Sequence, residues 1–135
     1  MTLKELSQLY YLKNEIKKDR ERLEVLRQRS FALPGSDITG MPGGGGNSGS
    51  NIERYVPEVV DLEKLIAEKI QRCIIEQSKI ERYISNIPDS LTRQIFTERF
   101  VNGMSWVKVA HSVGGYNTED NVKKICYRYI KKLPD

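Results

Sequence analysis

SLTRQIFTERFVNGMSWVKVAHSVGGYNTEDNVKKICYRYIKKLPD, residues 90–135, is the stretch whose reading decides the fold. Ile87-Pro88 ahead of it ends any preceding helix, because proline disfavours the helical conformation in the residue before it. Asp89 or Ser90 can then cap a short helix whose buried face is Leu91, Ile95, Phe96 and Phe100. Asn102-Gly103 stops that helix, since glycine readily takes the left-handed conformation found at helix ends. Ser105 caps a second helix with Trp106, Val109, Ala110 and Val113 turned inward, and the small Ala110 allows a close helix crossing. Gly114-Gly115 turns the chain again, and Asn117 or Thr118 opens a third helix. On it Val122, Ile125, Cys126, Tyr129, Ile130 and Leu133 share one face, opposite Asn121, Lys123, Lys124, Tyr127, Arg128, Lys131 and Lys132. This succession is the pattern of a helix-turn-helix.

The charge follows the same boundary. Residues 90–135 hold 8 Lys/Arg against 4 Asp/Glu, whereas 1–89 hold 14 of each, so the net charge of +4 lies entirely on the C-terminal unit. A basic excess on a helix-turn-helix is the footprint expected of DNA binding, where phosphate contacts supply most of the affinity. In such a unit the last helix offers its N-terminal part to base edges and its flanks to phosphates. The candidate DNA-binding residues are Lys108, Thr118, Asn121, Lys123, Lys124, Tyr127, Arg128, Lys131 and Lys132. Glu119 and Asp120 suit the positive end of the helix dipole and can accept from cytosine, yet they repel phosphate.

Upstream, residues 2–30 contain no Gly or Pro, and Leu9, Leu12, Ile16, Leu23 and Leu26 follow a heptad seam interrupted by Asp19. A long amphipathic helix is expected there. Residues 35–50 hold seven of the ten glycines, so a flexible linker is expected over 34–56, with 43–50 disordered. The run Gly43-Gly44-Gly45-Gly46 lacks the lysine and following Ser/Thr of a phosphate-binding loop. Within the linker Ile38 and Met41 are expected to dock on the helices or on a partner. Pro57 suits the first turn of a second long helix reaching about Asn86. Its seam runs through Val59, Leu62, Ile66, Cys73, Ile80 and Ile87, broadened by Leu65, Ile70 and Ile84, with Lys69 and Glu76 as polar positions. Neither helix can bury its stripe alone. The expected architecture is therefore all-α: a long antiparallel, coiled-coil-like hairpin over 1–87, then a helix-turn-helix domain over 88–135. Packing within one chain or between two copies is open, because the linker exceeds the roughly 2–8 residues that closure needs.

At 39% hydrophobic and 30% charged residues, the composition suits long helices with one buried stripe. No apolar run is long enough to cross a bilayer and residues 1–5 lack a signal segment, so a cytoplasmic protein without membrane contact is expected. Cys73 and Cys126 fall on apolar stripes and His111 is the sole histidine, which predicts buried, reduced thiols, no metal site and no cofactor. No carboxylate cluster, Cys/His pair or Ser/His/Asp set points to catalysis, so the chain reads as a binding protein and not an enzyme. His111 is expected as an exposed neighbour of Lys108.

Arg93-Gln94-Ile95-Phe96, Arg99-Phe100, Asn102-Gly103-Met104-Ser105-Trp106, Val109-Ala110 and Val113-Gly114 together resemble region 4 of bacterial sigma factors. That resemblance implies a last helix that reads promoter DNA in the major groove, although Gly114 to Val122 is longer than the family's usual turn. Leu3-Lys4-Glu5-Leu6, Tyr10-Tyr11-Leu12, Ile38-Thr39-Gly40-Met41-Pro42, Arg72-Cys73, Asp89-Ser90-Leu91-Thr92-Arg93-Gln94-Ile95-Phe96 and Asn117-Thr118-Glu119-Asp120 extend the likeness over the chain. In these the chain resembles short phage and prophage proteins of Gram-positive bacteria, grouped with ArpU-type late-gene regulators. The resemblance implies a phage transcription regulator and names neither operator nor partner. Taken with the basic helix-turn-helix, it leads to the expectation of a protein at the bacterial nucleoid that binds double-stranded DNA and whose hairpin serves homo-oligomer assembly or contact with RNA polymerase. Two rivals fit the same pattern: a DNA-packaging subunit of the small-terminase kind, and a polymerase adaptor that does not touch DNA.

Overall fold

The computed structural model describes residues 1–30 and 45–132, and every regular element among them is helical. In chain order these are α1 (Leu3–Ser30), α2 (Gly45–Ser85), α3 (Ser90–Phe96) continued by a π-helical turn (Thr97–Val101), α4 (Trp106–Val113) and α5 (Glu119–Lys132). The fold is all-α. By internal contacts the chain divides into two compact units, Met1–Lys13 with Arg72–Asp135, and Asn14–Gln71.

α1 opens with a reciprocal cap. The Thr2 N–H donates to Glu5 Oε2 at 2.8 Å and the Glu5 N–H donates to Thr2 Oγ1 at 3.2 Å, so two otherwise orphaned backbone donors are satisfied. Leu9, Leu12, Ile16, Leu23 and Leu26 are all buried, as the heptad seam predicts.

In the Asn14–Gln71 unit the buried side chains include Ile16, Leu23 and Leu26 of α1 and Leu62 and Ile66 of α2. Arg27 pairs with Glu63 at 2.8 Å, and Lys69 pairs with Asp19 and, at 3.7 Å, with Glu15. Partner numbers fall on α2 as they rise on α1, so the two segments run antiparallel. Asp19 and Lys69, each a polar interruption of its own seam, meet one another. Their hydrogen bond holds the Lys69 ammonium above its ordinary pKa despite partial burial. A charge at this depth without its partner is costly, so the pair favours one register over its neighbours. Leu65, expected to broaden the seam, is exposed.

α2 differs from expectation at its start. It begins at Gly45, so Pro57 lies inside it and the segment 45–50 is helical where disorder was expected. Pro57 removes one backbone donor, but the turn around it (Glu53, Arg54, Val56, Pro57) is exposed, where water can serve the freed carbonyl. Residues 34–44 of the expected linker, with Ile38 and Met41, lie outside the described residues.

The other unit has a single apolar cluster. Leu6 and Leu9 of α1 and Ile80 and Ile84 of α2 join Ile87, Ile95, Phe96, Phe100, Trp106, Val109, Val122 and Cys126. This unit does not begin at residue 88, where the change in composition suggests a boundary, because the core of α3–α5 is closed by both long helices. Phe96 is its centre, with the rings of Phe100, Tyr129 and Tyr83 at 5.3, 5.5 and 6.2 Å. The π turn, closed by the Asn102 N–H donating to the Thr97 carbonyl at 3.0 Å, carries both Phe100 and Val101 inward. Lys13 Nζ donates to the Val101 carbonyl at 3.0 Å and so satisfies an acceptor at that helix end. Burial pushes the Tyr83 hydroxyl and the Cys126 thiol up to about 12, and raises the half-buried Cys73 thiol. Both thiols are free, Cys126 being the fully buried one.

Candidate nucleic-acid interface

Each short helix is placed by a side-chain cap at its start. Asp89 accepts from the Thr92 N–H at 3.0 Å and from the Thr92 hydroxyl at 2.7 Å, which also holds its carboxyl below the usual range. Ser105 caps α4 by accepting from the Lys108 N–H at 3.4 Å, and Thr118 Oγ1 accepts from the Asn121 N–H at 3.2 Å at the head of α5. Between α3 and α4 the chain turns at Gly103, with φ of 67°. Arg99 secures this turn, donating to the Met104 carbonyl at 2.9 Å while its guanidinium lies 4.5 Å from the centre of the Trp106 ring. Trp106 is buried, as predicted, and so are Val109 and Ala110.

α5 rests on the core through Val122 and Cys126, with Ile125, Tyr129 and Ile130 half-buried around them. At about 100° per residue, Asn121, Lys124, Arg128 and Lys131 fall within about 80° of arc on the exposed side, with Tyr127 at its edge. Lys123 and Lys132 stand about 180° apart on opposite flanks, so a single flat surface cannot engage both. Tyr127 is only partly available: its ring meets Trp106 edge-on at 5.9 Å. Lys108 lies apart from this strip, on α4, where it lines a cleft of about 380 Å³ with Ser7, Tyr10, Tyr11, Arg99, Gly103 and Ser105. Tyr10 and Tyr11 are exposed there, a contribution from α1 that sequence spacing does not signal.

Two of the candidate cations have internal partners. Lys123 pairs with Glu119 at 3.5 Å and Lys124 with Asp120 at 2.9 Å, one helical turn apart on solvent-facing positions. Such exposed pairs are worth roughly 0.2–1 kcal/mol, less than a charge-assisted contact to a phosphate, so they orient the lysines without withholding them. Arg128, Lys131 and Lys132 form no ion pair among the described residues. Positive charge therefore grows along α5 from a neutralised first turn to a basic C-terminal half.

His111 is exposed. Among the described residues no group of His, Cys, Asp and Glu side chains is arranged to hold a metal ion, and no helix is long and apolar enough to cross a membrane. Comparison with family models, with curated proteins and with solved structures gives no match.

Proposed function

We propose that this chain is a DNA-binding transcription regulator of the phage and prophage kind. α3, α4 and α5 act as a helix-turn-helix with α5 entering the major groove, while α1 and α2 act as a helical hairpin for self-assembly or contact with RNA polymerase. One observation carries the reading: Asn121, Lys124, Arg128 and Lys131 occupy a single exposed strip of a helix whose other side is packed against a core. Asn121 is suited to base edges near the N-terminal end, and the cations beyond it to phosphates. The likeness of residues 93–114 to sigma-factor region 4 supports the same assignment. No cofactor or catalytic step enters, and the site of action is the nucleoid of a bacterial cytoplasm.

The test is a titration of a random duplex pool by fluorescence anisotropy at several salt concentrations. Affinity is expected to fall steeply with salt. A variant with Lys124→Glu and Arg128→Glu is expected to bind more than about tenfold more weakly while keeping its helical circular dichroism. Replacing one phosphate-contacting lysine is expected to lower the salt slope by about one. Unchanged affinity in the doubly reversed variant overturns the proposal. A second reading, the polymerase adaptor that does not touch DNA, is favoured by the apolar surface of Met104 and Val107 edged by Lys108 and His111. Capture of polymerase without any DNA affinity at low salt would decide for it.

A further inference from the structure

Among the described residues Tyr116 is the one non-glycine with positive φ, at 64°. It follows Gly114 and Gly115, each also with φ of 64°, so three residues of positive φ in a row form the turn between α4 and α5. Glycine takes this conformation freely, whereas a bulky side chain there is strained. Asn117 imposes the turn. Its Nδ2 donates to the Gly114 carbonyl at 2.8 Å, its backbone N–H donates to the same carbonyl at 3.2 Å, and its Oδ1 accepts from Asn121 Nδ2 at 2.7 Å. The turn is thereby tied to the first turn of α5.

Among the described residues no packing rewards the strain. The Tyr116 side chain is fully exposed, at 105% of its reference area. Glycine at this position would remove the strain and lose no packing, so the reason for tyrosine lies outside the folded unit. Its location narrows what that is. Tyr116 stands two residues ahead of Thr118, which caps α5, and so projects at the end of the helix assigned to the major groove. Glu119 and Asp120 follow at once, and they hold the nearby Lys123 and Lys124. A neutral hydroxyl can approach phosphate beside those carboxylates without being captured by them, as a lysine here would be.

We infer that Tyr116 contacts DNA at the rim of the major groove, its ring packed on a deoxyribose and its hydroxyl donating to a phosphate oxygen. The inference rests on the helix-turn-helix reading and adds to it a contact outside α5. It is tested with three full-length proteins, wild type, Tyr116→Gly and Tyr116→Phe, by melting temperature and by duplex affinity across a salt series. Tyr116→Gly is expected to melt higher, because the strain is gone, yet to bind about tenfold more weakly. Tyr116→Phe is expected to melt with the wild type and to lose about fivefold, the worth of one hydrogen bond. Neither change removes a charge, so the salt slope is expected to stay the same in both. Full affinity in Tyr116→Gly overturns the inference, as does a reduced salt slope in either variant. So does intact DNA binding with loss of polymerase capture, which would assign the tyrosine to a protein contact. If wild type binds and the Lys124→Glu/Arg128→Glu variant does not, full affinity in the Tyr116 variants refutes this contact alone. A wild type that does not bind at low salt refutes the helix-turn-helix reading and this contact together.

Discussion

Replacing Tyr83 with phenylalanine is expected to stabilise the protein. The Tyr83 hydroxyl is buried and has no hydrogen-bond partner among the described residues. Its ring is held by Phe96 at 6.2 Å and Tyr129 at 6.5 Å, contacts that phenylalanine keeps. An unsatisfied buried hydroxyl costs about 1–3 kcal/mol, from which the lost dispersion of one oxygen atom must be subtracted. The net gain is about 1 kcal/mol, which for a chain of this length raises the melting temperature by about 4 °C. A pH series gives an independent reading. Burial pushes the Tyr83 hydroxyl from 10.0 up to about 12, so between those values the folded protein keeps a proton that the unfolded chain has released. Stability contributed by the neutral phenol is therefore full below pH 10 and lost as pH rises toward 12. The phenylalanine variant lacks this component, so the gap between the two proteins is expected to widen from pH 9 to pH 11. Cys126 titrates alike in both and cancels in the difference. The assay is denaturant unfolding followed by circular dichroism at fixed temperature. A variant that is no more stable at pH 7, or a gap that narrows in alkali, would show that the hydroxyl is bonded and refute the reasoning.

Trp106→Ala is expected to cost about 3–5 kcal/mol and to unfold the unit built around Phe96, read as loss of the cooperative transition; an unchanged melting curve contradicts the buried placement. Asp19→Ala is expected to destabilise by about 1 kcal/mol because Lys69 loses its hydrogen-bonded partner and keeps only the longer pairing with Glu15, whereas Asp19→Leu with Lys69→Met is expected to recover most of the loss. Equal stability of all three proteins would deny the pair any role in register.

Where the sequence succeeds, the cause is local and repetitive. The seam from Leu9 to Leu26 and the inward residues Ile95, Phe96, Trp106, Val109 and Val122 are fixed by helical period and by caps within three residues, so spacing alone reveals them. Asp19 and Lys69 could each be recognised as a polar interruption, but their meeting depends on the stagger of two distant segments, which no local pattern encodes. The start of α2 escaped because a proline marks either a first turn or a tolerated interior position, and exposure decides between them. Leu65 shows the same limit, since a second apolar stripe is visible in sequence but not whether anything covers it. Of the candidate site, the strip of Asn121, Lys124, Arg128 and Lys131 was legible from the wheel of α5. The internal pairing of Lys123 and Lys124 follows from the four-residue spacing to Glu119 and Asp120, a signal that was present and underused. Tyr116 was not legible, because a positive φ beside two glycines is a property of the assembled turn.

The joining of Met1–Lys13 with Arg72–Asp135 in one core bears on how the molecule comes to be folded. During synthesis Leu6 and Leu9 leave the ribosome long before Ile95, Val109 and Val122 exist to cover them. Closing the core requires contacts of high sequence separation, which slows folding compared with a bundle of sequence neighbours. Until Cys126 has emerged, the first turns of α1 carry an unsatisfied apolar face, and that interval is when the nascent chain is most exposed to aggregation and to holding by chaperones. A fragment spanning 88–135 alone would lack one wall of its core, the one supplied by Leu6, Leu9, Ile80 and Ile84.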